Sequence, residues 1–325
     1  MAYSTNSWSS YQTAWMSFRA FCIKSDTPAV LPVTIDTLID YINYLANWRK
    51  LQISTIKGYV SALRLLHVLN RYPKSELDNI FLSDLVKISL RGVENICKIN
   101  EKPSNPRRVM SFPCMQLLGH GLMLQGFSHF DVQLIWTACT LGFWGSFRMS
   151  ELLPTGEQPH QVCNALSWKK VFKPNTNQLT ITVKFPKSMK DGSSDAVNVY
   201  RYMDENYCPV TQLCKLYNIA IDLGKFDPND LIFRLQSGAL LTTTILNKIL
   251  RNVMSNFFDG NHSFSCHSFR AGVPSHMAAL PNIFNESEIM VMGRWTSDAF
   301  ARYTRLNGFA REIALSKLQN VLNKT

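Results

Sequence analysis

A histidine and an arginine stand three residues apart in the segment CHSFRAG, residues 266–272. Side chains three positions apart on a helix share a face, so His267 and Arg270 can reach a single phosphate together. Such pairs also arise by chance in a chain of this length, and many of them are structural. The pair therefore points to phosphate chemistry only if other residues support it.

A second charged pair lies in GSFRMSELL, residues 145–153. Arg148 and Glu151 are three positions apart at the end of an apolar helix predicted over 130–152. A charge at the end of a buried helix needs a partner, which is either Glu151 or a ligand.

A third segment, MGRWTSDAFARYTR at 292–305, contains a possible nucleophile. Ser297 or Asp298 can cap a short helix that presents Tyr303 shortly after Trp295. A single tyrosine is far more often a packing residue than a catalytic one, so this segment is weak evidence alone.

The order of these groups is more specific than any one of them: an arginine, a hairpin lysine, His-x-x-Arg, a tryptophan and a tyrosine. In this order the sequence resembles the tyrosine recombinase (phage integrase-like) family, whose active site is Arg, Lys, His-x-x-Arg, His or Trp, then the Tyr nucleophile. The wording HSFRAG and GRWTSDAFARY is closest to recombinases of eukaryotic mobile elements of the Crypton and DIRS type. The resemblance covers nearly the whole chain. It implies a mainly α fold with a small β-sheet (α+β), in which an all-α core-binding domain precedes a catalytic domain.

The resemblance also implies how each residue acts on DNA. Tyr303 attacks the scissile phosphate and becomes a 3′-phosphotyrosine, which stores the bond energy so that rejoining needs no ATP. Arg148 and Arg270 hold the non-bridging oxygens with fork-like donors. His267 hydrogen-bonds the phosphate or accepts the tyrosine proton, and Trp295 donates its indole N–H.

Two more roles complete the predicted site. Glu151 orients the arginine or the histidine. Lys187 is the predicted general acid, because a hairpin tip can deliver it to the leaving group, and Lys190 and Lys184 remain alternatives.

The elements that position these residues begin with an all-α DNA-binding domain, residues 1–100. Apolar residues at helical spacing predict four helices, at about 7–23, 35–45, 54–70 and 79–98. Thr34 can cap the second helix. In the third, Lys57 and Arg64 share a polar face, which is either a solvated surface or a phosphate-contacting one.

A linker follows at residues 101–110. It contains two prolines and the pair Arg107–Arg108, which either runs along a nucleic-acid backbone or belongs to a solvated tether.

The catalytic domain is predicted over 111–325. Its first elements are helices at about 113–126 and 130–152. The alternating runs QLTITVKF and AVNVY predict a β-hairpin whose tip carries Lys187 and Lys190, and the pattern is helical from 209 onward.

Composition agrees with a polyanionic partner. The 325 residues are 46% hydrophobic and 18% charged, enough for a real core, with a net charge of +11 and a pI near 9.3. Residues 1–100 carry 11 basic and 7 acidic side chains, and the remainder has a surplus of seven basic ones. Both parts are thus expected to touch one long polyanion, double-stranded DNA.

Several other classes are disfavoured. The sequence has no apolar run typical of a membrane span and no signal-peptide layout, so we expect an intracellular protein, in the nucleus if the eukaryotic motif wording holds. Eight scattered cysteines form no CxxC pair, which disfavours zinc sites and a disulfide framework. We expect no cofactor and no metal.

The C-terminal segment has a broad apolar helical face: Ala314, Leu315, Leu318, Val321 and Leu322. This face either packs on its own domain or, as in many family members, docks on a neighbouring protomer. The second possibility predicts a homodimer or homotetramer on DNA.

The sequence therefore predicts a site-specific tyrosine recombinase or transposase. One departure from the family is Pro274, which would kink or end a helix continuing from HSFR, or be harmless in a first turn. The alternative is a catalytically inactive or domesticated DNA-binding protein of the same fold. A metal-dependent nuclease is disfavoured because no convincing ligand cluster appears.

Overall fold

The computed structural model describes residues 5–100, 108–171, 177–184, 194–258, 264–280 and 283–295. The chain divides into two compact units, Met1–Ser104 and Asn105–Thr325. The described residues are mainly helical and include one small antiparallel sheet, which confirms the predicted fold class.

The described part of the first unit contains five α-helices: α1 (Thr5–Lys24), α2 (Ile35–Asn43), α3 (Ile53–Leu69), α4 (Lys74–Phe81) and α5 (Asp84–Asn100). A π-helical turn, Tyr44–Trp48, extends α2. Thr34 caps α2 as predicted, because its hydroxyl accepts the backbone N–H of Thr37 at 3.1 Å.

The core of this unit is built from one apolar stripe of each helix. Its most buried side chains include Phe18, Leu38, Tyr41, Ile56 and Leu63, each fully enclosed. The rings of Phe18 and Tyr41 meet edge to face at 5.2 Å, which joins α1 to α2.

The prediction of a single fourth helix at 79–98 is wrong in one respect, because the chain forms two helices there. Helix α4 ends at Phe81 and α5 begins at Asp84. The hydroxyl of Ser83 accepts the backbone N–H of Val86 at 3.3 Å, so this serine starts a new helix inside the apolar pattern.

The described part of the second unit contains nine α-helices and one hairpin: α6 (Phe112–Met123), α7 (His129–Trp144), α8 (Met149–Leu152), α9 (Pro159–Val162), β1 (Gln178–Lys184), β2 (Ser194–Tyr200), α10 (Pro209–Asp222), α11 (Thr243–Met254), α12 (Cys266–Arg270), α13 (Gly272–Ala278) and α14 (Glu286–Gly293). Helix α7 is buried around most of its circumference and packs against α10. It is therefore the central element of this core.

The predicted hairpin is confirmed. Strands β1 and β2 pair antiparallel with Ile181 opposite Val197, and Leu179, Ile181 and Val183 turn into the core. The predicted tip, with Lys187 and Lys190, lies outside the described residues.

The apolar helix predicted over 130–152 is shorter than expected. Helix α7 ends at Trp144, Gly145 follows, and Ser146 has a left-handed backbone with φ +46°. A Cβ on Gly145 would lie 2.2 Å from the ring of Phe147, so only glycine fits this turn. The break turns the chain so that Arg148 directly precedes a separate short helix, α8.

In the ranges given above, no helix is long and apolar enough to cross a bilayer. The described cysteines are free thiols and most are buried. No group of three or more His, Cys, Asp or Glu side chains within these ranges could hold a metal ion.

Candidate active site

Arg148 is the residue immediately before α8, and Glu151 fixes it there. The backbone N–H of Arg148 donates to Oε2 of Glu151 at 3.0 Å, and its Nη1 donates to Oε1 at 3.1 Å. The Glu151 side chain is 5% exposed and that of Arg148 is 45% exposed. The buried carboxylate thus anchors an arginine whose guanidinium remains open to an anion in solution.

Arg270 is the last residue of α12 and is only 1% exposed. Its Nη1 donates to the carbonyl of Ser146 at 3.0 Å, and its Nη2 donates to the carbonyl of Arg294 at 3.1 Å. A buried guanidinium is costly unless it is hydrogen-bonded, and these two carbonyls provide partners from two different segments. They hold the Arg270 side chain in one orientation.

His267 lies on the same short helix, and its side chain is exposed. The helix start is fixed because the backbone N–H of Cys266 donates to Oδ1 of Asn247 at 2.7 Å. Burial raises the pKa of the Cys266 thiol to about 12, so the thiol beside His267 stays protonated.

The proline that departs from the family pattern does not interrupt α12. The chain breaks at Ala271, and Pro274 falls in the first turn of α13. Proline is tolerated in a first turn because the N–H groups there have no partner within the helix.

A close approach at Gly272 joins α13 to the start of the second unit. A Cβ on Gly272 would lie 2.6 Å from the carbonyl of Met110 and 2.6 Å from the ring of Phe143. The backbone N–H of Met110 donates to the carbonyl of Ser268 at 3.0 Å. The segment that enters this unit is thereby bonded to α12.

Trp295 follows the end of α14 and is half-buried. Its backbone N–H donates to the carbonyl of Met290 at 3.0 Å. A Cβ on Gly293 would lie 2.4 Å from Cε3 of the indole, so the tryptophan ring lies directly over this glycine.

Arg294, which was not among the predicted site residues, links these groups. Its Nη1 donates to Oε2 of Glu151 at 3.0 Å, and its guanidinium lies 5.1 Å from the ring centre of Phe147. Through Glu151 it is joined to Arg148, and through its carbonyl to Arg270. One feature of the sequence could have identified Arg294 as a site residue: it is a charged residue at the end of an apolar helix, directly before Trp295.

The structure therefore joins three predicted residues, Arg148, Glu151 and Arg270, in one network, and Trp295 is the chain neighbour of its fourth member. His267 is one turn before Arg270. Tyr303, Lys187, Lys190 and Arg107 lie outside the described residues, as does the C-terminal segment with its apolar face. Lys184 is the last residue of β1.

The predicted DNA-contacting residues of the first unit are engaged in ion pairs. Nζ of Lys57 lies 2.8 Å from Oε2 of Glu94, and Arg64 pairs with Asp78. Any contact between these side chains and a phosphate would compete with those pairs.

Arg108, the predicted linker contact in the second unit, is half-buried. Its guanidinium lies 4.7 Å from the ring centre of Phe258, a cation–π arrangement.

No protein-family model matches the sequence, and no curated protein matches it. Among solved structures, the XerH site-specific recombinase bound to palindromic difH substrate, a post-cleavage complex, has a TM-score of 0.60 at 15% identity, covering 96% of this chain and 79% of that one. A pre-cleavage complex of XerH with difH gives 0.54 at 14% identity, over 95% and 78%. A lambda integrase dimer bound to a COC′ core site gives 0.52 at 12% identity, over 94% and 73%. The chain therefore has the tyrosine recombinase fold that its sequence predicts.

Proposed function

We propose that this protein is a DNA-binding site-specific tyrosine recombinase or transposase, which cuts and rejoins DNA through a covalent phosphotyrosine. The observation that carries the proposal is the network in which Glu151 and Arg294 connect Arg148 to Arg270. It occurs in a chain whose fold resembles recombinases solved with their substrate sites.

In the proposed reaction, the hydroxyl oxygen of Tyr303 attacks the scissile phosphorus and the bond to the 5′ oxygen breaks. The tyrosine proton passes to His267, and Lys187 protonates the departing 5′ oxygen. Arg148 binds a non-bridging oxygen directly, and the buried Arg270 adds positive charge that opposes the charge developing on the phosphorane. The new 3′-phosphotyrosine keeps the bond energy, so attack by a 5′ hydroxyl reverses the step without ATP or a metal ion.

We also propose a role for each part of the chain. Residues 1–100 would bind double-stranded DNA, and residues 111–325 would form the catalytic domain. Residues 101–110 would link the two domains. The wording of the motifs supports a mobile-element recombinase of the Crypton or DIRS type acting in the nucleus. The apolar face of the C-terminal segment supports assembly as a homodimer or homotetramer on DNA.

The test is a covalent trap on DNA. Duplexes bound by the full chain would be selected from a random-sequence pool and rebuilt with a nick at each successive position of either strand. A nick just 3′ of the scissile phosphate lets the short 5′-hydroxyl fragment diffuse away and strands the phosphotyrosine. With the label at the 5′ end of the cut strand, we expect a labelled band at the size of protein plus DNA on a denaturing gel.

Tyr303→Phe should abolish this band, because it removes only the attacking oxygen. The matched control is Tyr217→Phe, which deletes the hydroxyl of a partly exposed tyrosine on α10 and should leave the band unchanged. Wild-type protein that binds the selected DNA but forms no adduct with any nick would instead favour the catalytically inactive DNA-binding protein. An adduct that persists in Tyr303→Phe would show that another residue is the nucleophile.

A further inference from the structure

Arg294 has a backbone conformation that its residue type disfavours. It follows the last residue of α14 with φ +52° and ψ +49°, in the left-handed region where glycine is the usual residue. A non-glycine residue persists in such a conformation when its surroundings over-determine it, and such residues cluster at functional sites.

The backbone of Arg294 supplies one carbonyl that supports Arg270. Another comes from Ser146, which is also left-handed, with φ +46°. Their two carbonyls lie 3.1 Å and 3.0 Å from separate nitrogens of the Arg270 guanidinium. Two turns from different parts of the chain thus meet on one buried cation.

The side chain of Arg294 supplies support for Arg148. It is 13% exposed, lies against the ring of Phe147, and donates to the Glu151 oxygen that also accepts the backbone N–H of Arg148. The second Glu151 oxygen accepts Nη1 of Arg148. The Glu151 carboxylate therefore links the mostly buried guanidinium of Arg294 to the exposed guanidinium of Arg148.

We propose that Arg294 is a positioning residue, which sets Arg270 through its carbonyl and Arg148 through its guanidinium and Glu151. The role rests on the proposed function, because it concerns the two arginines that would act on the phosphate. In this role, Arg294 itself does not contact DNA. A lysine could keep the charge, but it lacks the planar group that both lies on an aromatic ring and donates to a carboxylate.

The experiment uses the full chain and the nicked duplex described above. Arg294→Gly keeps the left-handed turn and its carbonyl, and it removes the whole side chain with its guanidinium while relieving the backbone strain. We expect the rate of adduct formation to fall about 10²-fold, as for a reacting group displaced by about 1 Å. Arg294→Lys should recover part of that loss, because it restores the charge opposite Glu151.

The matched control is Arg71→Gly. Arg71 is also left-handed, with φ +63°, but it is exposed and lies in the first unit. Arg71→Gly removes the same side chain and relieves the same backbone strain, and at DNA concentrations that saturate binding its rate of adduct formation should equal that of wild type.

A double variant separates positioning from general destabilisation. If Arg294 acts through Arg148, then Arg294→Gly should slow an Arg148→Ala protein much less than it slows wild type, because the group it positions is already gone. Equal slowing in both backgrounds would overturn the proposal. If Arg294→Gly fails to fold, the same comparison is made with Arg294→Lys.

The outcomes distinguish this proposal from the proposed function. No adduct from wild type overturns the function and the positioning role with it. An active wild type, together with an Arg294→Gly variant that reacts at the same rate, overturns the positioning role alone.

Discussion

Arg270 is held by two residues whose backbones are left-handed although neither is glycine. Such a conformation costs roughly 1–2 kcal/mol per residue. Here both residues turn a carbonyl toward a guanidinium that is otherwise enclosed. The residue types of the site were visible in the sequence, since His-x-x-Arg and the pair Arg148 and Glu151 have a recognisable spacing. The sign of φ at a serine or an arginine is not visible there, because it depends on tertiary contacts, so the support for Arg270 was not predicted.

Gly293 allows a prediction about the placement of Trp295. Gly293→Ala should displace the indole, because the new Cβ would lie 2.4 Å from Cε3 of the ring. Overpacking of this kind costs about 1–3 kcal/mol of unfolding free energy. Urea unfolding should show that loss, and the nicked-duplex assay should show slower adduct formation if Trp295 donates to the phosphate.

The control for this substitution is Gly92→Ala in α5, where the new Cβ would meet no neighbouring side chain within 4 Å. It should stabilise the protein by about 0.5–1 kcal/mol, because alanine has less backbone freedom to lose in a helix. A Gly293→Ala protein that behaves like Gly92→Ala would mean that the indole does not lie over Gly293.

At the level of elements, the sequence predicted where helices lie better than where they end. Apolar spacing continues through Leu82 and through Gly145, so each stretch resembles one long helix. The chain breaks the first stretch with a side-chain cap at Ser83 and the second with a left-handed turn at Ser146. Both breaks depend on local hydrogen bonds and packing that a count of apolar positions does not contain. The second break is the one that gives Arg148 its place before α8.

Helix α3 carries a buried histidine that should make the first unit sensitive to acid. Nε2 of His67 accepts the backbone N–H of Val33 at 3.0 Å, and Nδ1 lies 2.7 Å from the carbonyl of Leu63. Burial lowers the pKa of His67, although the Leu63 carbonyl and the charge of Glu76 act in the opposite direction. The folded state is therefore more stable with a neutral His67 ring than with a protonated one.

A group whose pKa is lowered by folding stabilises the protein above its unfolded pKa, about 6.5 for histidine, and loses that contribution as the pH falls. We expect urea unfolding of the first unit to become easier between about pH 7.5 and pH 5.5. His67→Leu should cost about 1–3 kcal/mol at about pH 7.5, because the Val33 N–H loses its acceptor. The substitution should also make the free energy of unfolding less dependent on pH. A pH dependence equal to that of wild type would show that His67 is not the group responsible.

For the molecule as a whole, the surplus of basic side chains extends over both units. The size of this surplus favours a polyanionic partner. Several of the basic side chains nevertheless have acidic partners within the fold, among them Lys57 with Glu94 and Lys87 with Asp84. The count of 34 basic side chains therefore overstates how many cations are available to a phosphate, whereas the net charge of +11 already counts each such ion pair as zero.

This pairing predicts how DNA affinity responds to neutralising one acid. If Lys57 contacts DNA, Glu94→Gln should tighten binding about two- to fivefold, since an exposed ion pair is worth up to about 1 kcal/mol. The gain should shrink at higher salt, where exposed charges are screened. Fluorescence anisotropy of a labelled duplex at two salt concentrations would measure it.

Asp84→Asn is the matched comparison, because it removes the same charge from the same helix, α5, next to a different lysine. Equal tightening by both substitutions would indicate a general charge effect and would argue against a contact by Lys57.

The hydrogen bond between Met110 and Ser268 has a mechanical consequence. The chain that arrives from the first unit is fastened to α12 only two residues before Arg270. Tension on this connection would be transmitted through that bond to the helix that bears His267, and Gly272, which packs against the carbonyl of Met110, would resist the movement. A pull on the polypeptide would thus act on the helix that carries two of the predicted phosphate-binding residues, His267 and Arg270.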